Sequence, residues 1–190
     1  HTSSIAVTGV QTCALPILTL FRILLIPVFV FCFYSTHEHA RFLAAFVFWL
    51  AAITDALDGY LARKLQQSTP FGAFLDPVAD KAMVAAALVL IAVDMQTLWV
   101  TIPAFVMISR EIIISGLREW MAGIGKSAQV KVSNMGKYKT AAQMLALIGL
   151  IWQPVQWLTD LGMALLFVAT VLTVWSMVEY LRAAWRDLNQ

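Results

Sequence analysis

Six apolar runs separated by short polar breaks make up most of this chain. From residue 18 onward they fall at 18–34, 42–63, 73–93, 98–121, 136–152 and 157–185. The breaks are STHEHAR, KLQQSTPFG, DMQT, a Gly/Lys-rich stretch at 122–134, and QPVQ. At about 1.5 Å of rise per helical residue, each run approaches or exceeds the length that crosses a hydrocarbon core of roughly 30 Å. The pattern predicts an all-α, polytopic membrane protein with six transmembrane helices. No internal repeat or low-complexity stretch interrupts it.

Residues 1–17 (HTSSIAVTGVQTCALPI) do not share the pattern. They are mixed and rich in Ser and Thr. They have neither helical periodicity nor the basic start of a signal peptide, and no small-residue cleavage site follows. VTGVQTCALPI resembles the translation of a sequencing-library adapter. Residues 1–17 are therefore read as a non-native or disordered segment, with a flexible N-terminus as the alternative, and 18–190 as the six-helix domain. Cys13 receives no functional reading, and Cys32 reads as a small apolar filler.

An even number of spans puts both termini on one side, and the basic residues choose the side. The second, fourth and last polar segments carry Arg63, Lys64, Arg118, Lys126, Lys131, Lys137, Lys139, Arg182 and Arg186, whereas the first, third and fifth carry only Arg41. This asymmetry predicts that both termini face the cytoplasm. Trp99, Trp152 and Trp157 lie at the opposite helix ends, where interfacial aromatics belong. Composition agrees: of 190 residues, 61% are hydrophobic and 13% charged. A soluble domain is nearer half and a quarter, and a disordered chain is poorer still in apolar residues. A net charge of +2 offers no footprint for nucleic acid.

Against this background four aspartates stand out: Asp55, Asp58, Asp76 and Asp80. A carboxylate at membrane depth costs roughly 2.5–3.5 kcal/mol even on the lenient insertion scale. The first two are i,i+3 and the second two i,i+4, so each pair shares a helix face. The polar turn at 64–72 folds the two helices into an antiparallel hairpin, which lets the four converge near the cytoplasmic surface. Four like charges in one pocket repel and take up protons unless cations hold them. Two divalent ions cancel the formal charge. Oxygen ligands without His or Cys suit Mg²⁺, with Mn²⁺ also acceptable. Such a pair is a clamp for in-line displacement at phosphorus. Gly59, Ala62 and Gly72 keep the same faces small, and Arg63 supplies a fork suited to phosphate oxygens. Pro77 is expected in the first turn of its helix, where its missing N–H costs little.

Read together, these residues are Asp55-x2-Asp58-Gly59-x2-Ala62-Arg63-x8-Gly72-x3-Asp76-x3-Asp80. This string resembles, position for position, the signature of the CDP-alcohol phosphatidyltransferase family. The resemblance extends from about residue 18 to the end of the chain. It implies six helices, cytoplasmic termini and transfer of a phosphatidyl group from CDP-diacylglycerol to an acceptor alcohol with release of CMP. It further implies that Asp55, Asp58 and Asp76 ligate the metal pair, and that Asp80 is both a ligand and the base for the acceptor hydroxyl. By the same resemblance Gly59, Arg63 and Thr69 line the cytidine diphosphate site. LTLFR (18–22), FGAFLDPVADK, SREIIISGLREW (109–120) and GKYKTAAQM (136–144) are most similar to the bacterial branch whose acceptor is sn-glycerol 3-phosphate. One departure concerns the start. The family has a short interfacial helix with an Asn/Pro lead before the positions of Thr19 and Arg22, and here the 1–17 segment stands in its place. Members are often homodimers.

An anionic acceptor gives the remaining cations a role. Arg110, beside Glu111, and Arg118, eight residues on, share nearly one face of the fourth helix, while Lys137 and Lys139 open the fifth. These four are the candidates for the acceptor phosphate. Plainer readings stand beside them: Arg110–Glu111 as a self-satisfied polar cluster, and Arg118, Lys137 and Lys139 as orientation charges. Lys126 and Lys131 read as orientation charges or contacts to anionic lipid. His37 and His39 read as solvated. Inositol phosphate, serine or phosphatidylglycerol are the competing acceptors. In a different class, an ion-coupled transporter would use the acidic cluster as a relay. The confinement of the aspartates to one leaflet and the absence of an inverted repeat favour the enzyme.

Overall fold

The computed structural model describes residues 20–65, 70–123 and 134–188, excepting the side chains of 58–65, 70–74, 76–77, 134–138, 183–184 and 186–188. Its described residues form six α-helices and no strand: α1 (Leu20–Tyr34), α2 (Ala40–Leu65), α3 (Pro70–Met95), α4 (Leu98–Gly123), α5 (Asn134–Trp152) and α6 (Gln156–Leu188). Three stretches are long and apolar enough to cross a membrane, at Ala40–Leu57, Leu98–Gly123 and Gln156–Arg182, and Leu20–Tyr34 and Lys139–Trp152 are shorter apolar helices. This is the architecture of a multi-pass membrane protein.

The order of helices matches the hydrophobic pattern, but α2 to α6 run beyond several of the apolar limits into the polar breaks. The largest difference is at α3. Its first residue is Pro70, so Pro77 lies well inside the helix rather than in its first turn. Proline at the opening position is favourable because the N–H it lacks has no intrahelical partner there. Pro70 is thus well suited to the first position of α3. Pro77 then has no N–H to return to the carbonyl of residue 73.

Two tight turns connect α3 to α4 and α5 to α6. Each ends its first helix on a glutamine in the left-handed region, Gln96 at φ 45° after α3 and Gln153 at φ 46° after α5. The Gln96 N–H returns to the Ala92 carbonyl at 3.1 Å and that of Gln153 to the Gly149 carbonyl at 3.0 Å. A non-glycine residue pays roughly 1–2 kcal/mol for this conformation. Gln153 recovers part of it, since its Nε2 donates to the Leu150 carbonyl at 2.8 Å and to Asp94 Oδ2 at 3.2 Å.

The chain forms two compact units, residues 1–90 and 91–190, with the boundary inside α3. In the first, α1 buries one stripe, Arg22, Leu25, Phe29 and Phe33, at helical spacing. α2 answers with Phe48 and with Ala40, Ala44, Ala45 and Ala51, whose small side chains leave room for the α1 aromatics. Phe29 meets Phe48 at a ring-centroid distance of 5.9 Å, and the Arg41 guanidinium caps the Phe33 ring at 4.2 Å. The helices therefore run antiparallel, and their register pairs positions whose numbers rise on α1 as they fall on α2.

In the second unit α6 carries the seam. Thr159, Gly162, Leu166, Ala169, Thr173 and Tyr180 are buried at alternating spacings of three and four, with Ser176 half-buried in the same series. This is the narrow stripe of a close helix–helix contact, and small residues let the backbones approach. A Cβ added at Gly162 would stand 3.0 Å from Leu150 Cγ and 3.4 Å from the Ala146 carbonyl oxygen, so α5 and α6 touch there. α4 presents Val100, Met107, Ile114 and Met121 at heptad spacing.

Candidate active site

Within the first unit, the α1–α2 register decides what faces the first aspartate. Arg22 lies seven residues before Phe29 on α1, and Asp55 lies seven after Phe48 on α2, two turns in each case. The antiparallel packing that joins the two rings therefore brings Arg22 to Asp55. Arg22 Nη1 donates to Asp55 Oδ1 at 2.8 Å. The arginine side chain is 1% exposed and the aspartate 44% exposed, so a buried cation holds a carboxylate at the edge of an open region. Arg22 was not among the residues expected at this site. The available signal was that a cation inside an apolar run requires a countercharge, and that both partners sit two turns from a pairing phenylalanine.

Asp58 and Gly59 follow on α2 at i+3 and i+4 from Asp55, and Arg63 lies one turn beyond Gly59, all within the helix. Asp76 and Asp80 lie one turn apart within α3. Asp80 is half-buried and engaged by a neighbour. The side chains of Asp58, Arg63 and Asp76, the surroundings of Gly59, and Thr69 altogether lie outside the described residues. What the described part offers a metal ion can still be tested. A carboxylate has two oxygens with about four lone-pair positions, and Arg22 occupies one of them at Asp55. Asp55 thus retains ligating capacity, and a set built only of carboxylates fits a hard divalent cation.

The second unit assembles a different cluster. Arg110 lies between Met107 and Ile114 on the inward face of α4, and its side chain is 17% exposed. It pairs with Glu111, and Nη2 reaches Ser176 Oγ on α6 at 3.4 Å. Its Nε is buried and has no hydrogen-bond partner among the described residues. Lys139 lies on the same stripe of α5 as Ala146 and Leu150, is 8% exposed, and interacts electrostatically with both Arg110 and Glu111. The described residues here thus hold two cations, Lys139 buried and Arg110 half-buried, against one carboxylate. A cluster with that excess of positive charge and an unfilled donor is suited to an anion. Arg118 shares the face, one seam position further along: its guanidinium stands over the Tyr180 ring at 5.5 Å, one turn after Ser176, while the residue itself is exposed. Of the four expected acceptor cations, Arg110 and Lys139 come together, Arg118 neighbours them on α4, and the Lys137 side chain lies outside the described residues. Ser176 is an addition that the sequence did not single out, because a serine in an apolar helix is ordinarily satisfied by its own backbone.

Six helices, an aspartate pair one turn apart on each of α2 and α3, and a cationic cluster on α4 and α5 belong to a multi-pass membrane protein carrying charged groups suited to cations and anions. The chain belongs to the CDP-alcohol phosphatidyltransferase family, whose model matches residues 15–175. The family generally uses divalent metal ions. Its similarity to individual proteins spans nearly the whole length. It is 56% identical over 167 residues to the CDP-diacylglycerol–glycerol-3-phosphate 3-phosphatidyltransferase of Haemophilus influenzae, covering 88% of this chain and 90% of that protein. It is 58% identical over 172 residues to the proteins of the same name from Escherichia coli K12 and Shigella flexneri, covering 90% of this chain and 94% of each.

Proposed function

We propose that this chain is a membrane phosphatidyltransferase that moves the phosphatidyl group of CDP-diacylglycerol to sn-glycerol 3-phosphate, giving phosphatidylglycerophosphate and CMP. The observation that carries this reading is the similarity, at 56% and 58% identity over about nine-tenths of the chain, to proteins bearing that activity in their names. The excess positive charge at Arg110 and Lys139 supplies its physical counterpart, because glycerol 3-phosphate brings a dianion.

Asp55, Asp58, Asp76 and Asp80 hold two divalent ions, Mg²⁺ with Mn²⁺ as a substitute. When bound, such ions neutralise charge on the diphosphate and polarise its phosphoryl oxygens. The aspartates and the ions cancel formally, and Arg22 leaves one positive charge facing an anionic substrate. Gly59, Arg63 and Thr69 line the cytidine diphosphate site, Arg63 donating a forked pair of hydrogen bonds and Gly59 leaving room for the ligand. Arg110 and Lys139, with Lys137 and Arg118, bind the acceptor phosphate. Asp80 takes the hydroxyl proton as the oxygen attacks the phosphorus that bears diacylglycerol. The new P–O bond forms as the bond from that phosphorus to the CMP oxygen breaks, and CMP departs with the electron pair. The displacement is direct and uses no covalent enzyme intermediate. The enzyme resides in a bacterial cytoplasmic membrane, with both termini and the site on the cytoplasmic side, and assembles as a homodimer.

The test is purified protein with CDP-diacylglycerol, offered glycerol 3-phosphate, serine or inositol phosphate in parallel, with and without EDTA. CMP release is expected with glycerol 3-phosphate, to stop on chelation and to return with Mg²⁺. Equal release with serine refutes the acceptor, and undiminished release after EDTA refutes the metal site.

A further inference from the structure

The ion pair at Asp55 has features that a simple membrane countercharge does not need. Arg22 is buried to 1% exposure on the stripe that packs α1 against α2, so the guanidinium is fixed by packing and cannot follow a moving partner. Asp55 by contrast is 44% exposed, so packing alone does not fix its carboxylate. The contact uses a single nitrogen and a single oxygen, Nη1 to Oδ1, and so leaves Oδ2 out of the pair. A bidentate fork would have occupied both oxygens.

We propose that Arg22 is a positioning residue for phosphatidyl transfer: by holding Oδ1 of Asp55 from α1, it fixes the carboxylate plane so that Oδ2 is presented to a divalent cation. The inference rests on the metal-site reading above and adds to it a residue on α1. Partners that orient a metal ligand typically influence affinity or activity 10- to 100-fold. The cationic partner has a second effect of opposite sign, since a fixed positive charge near the site weakens its hold on another cation.

Two variants separate these effects. Arg22→Lys keeps the charge and loses the planar donor, so it reads orientation. Arg22→Gln removes the charge as well. Both are made in the full chain, purified, and compared for Mn²⁺ binding by electron paramagnetic resonance, turnover at saturating Mn²⁺, and unfolding temperature in EDTA. In Arg22→Lys the Mn²⁺ dissociation constant is expected to rise about tenfold, with a broadened spectrum of the bound ion. Arg22→Gln is expected to bind Mn²⁺ more tightly than Arg22→Lys, yet to turn over at least tenfold more slowly than the starting protein. Unchanged Mn²⁺ affinity and spectrum in Arg22→Lys overturns the inference. So does turnover within twofold of the starting protein in Arg22→Gln, which decides alone if the lysine variant does not fold. Loss of folding in both assigns Arg22 to the scaffold and also overturns it. If the starting protein itself binds no Mn²⁺, the metal-site reading has failed and this inference falls with it.

Discussion

Replacing Lys139 by methionine should make the protein a poorer enzyme and no less stable. Lys139 is 8% exposed and lies within electrostatic reach of Arg110 and Glu111, so among the described residues the cluster carries one more positive than negative charge. Methionine keeps the length and apolar stem of lysine while removing the charge. Substituting buried charges by apolar groups of similar volume is often neutral, or stabilising by about 1–4 kcal/mol. Here the low end applies, because Arg110 and Glu111 remain paired. At roughly 2–4 °C per kcal/mol for a chain of this size, the unfolding temperature should stay level or rise by a few degrees. Function should move the other way. A charge-assisted hydrogen bond to phosphate is worth about 1.5–3 kcal/mol, which corresponds to a roughly 10- to 100-fold loss of kcat/KM for glycerol 3-phosphate. The KM for CDP-diacylglycerol should change by less than about threefold, a margin of some 0.6 kcal/mol. Arg110 is the less informative position, since its removal would take the pairing guanidinium from Glu111 and the donor from Ser176 and confound binding with folding. The assay is steady-state CMP release with each substrate varied in turn, alongside thermal unfolding of the same preparation. A fall in unfolding temperature beyond about 4 °C, or equal effects on the two substrates, refutes the reasoning.

Other outcomes follow from the same geometry. Asp80→Asn keeps the shape of the side chain but cannot take a proton, so turnover should fall by about 10²–10⁴-fold; near-normal CMP release would remove Asp80 from the mechanism. Gly162→Val places methyl groups against Leu150 and the Ala146 carbonyl, and overpacking of this kind costs about 1–3 kcal/mol, read as a lower unfolding temperature. Gln96→Gly should stabilise by about 1 kcal/mol by relieving a left-handed residue that is exposed and whose side chain makes no hydrogen bond among the described residues, whereas Gln153→Gly should gain nothing because it sacrifices the bonds to Leu150 and Asp94. Comparing the two glycine variants by thermal unfolding tests whether the tie across the turn offsets the strain.

The helices were legible because a membrane leaves the backbone few options: apolar runs of adequate length must be helical to satisfy their own hydrogen bonds. Their ends were less so. Hydropathy marks where lipid contact stops, while Pro70 marks where α3 can begin, and the two differ by about a turn. The aspartate faces followed from spacing alone, since i,i+3 and i,i+4 place side chains together whatever the surroundings. Partners on other helices did not follow from spacing. Asp55 meets Arg22 because Phe29 and Phe48 set a register, and a ring-to-ring register has no local signature. Lys139 shows the same limit from the other side. Positive charge near a helix start reads equally as an orientation signal, and its place on the buried stripe with Ala146 and Leu150 has no local signature.

The hydroxyls along α6 have a practical consequence. Thr159, Thr170 and Thr173 each donate to the carbonyl four residues earlier, and Ser176 to the one three earlier, so these groups close on their own helix. Water that seeps between helices in a detergent micelle competes chiefly for hydrogen bonds that bridge them, and these four bonds bridge nothing. From Thr159 to Thr173 the seam among the described residues rests on fit, with the Arg110 hydrogen bond to Ser176 beyond it, and a change of amphiphile leaves such fit largely intact so long as it supplies comparable thickness.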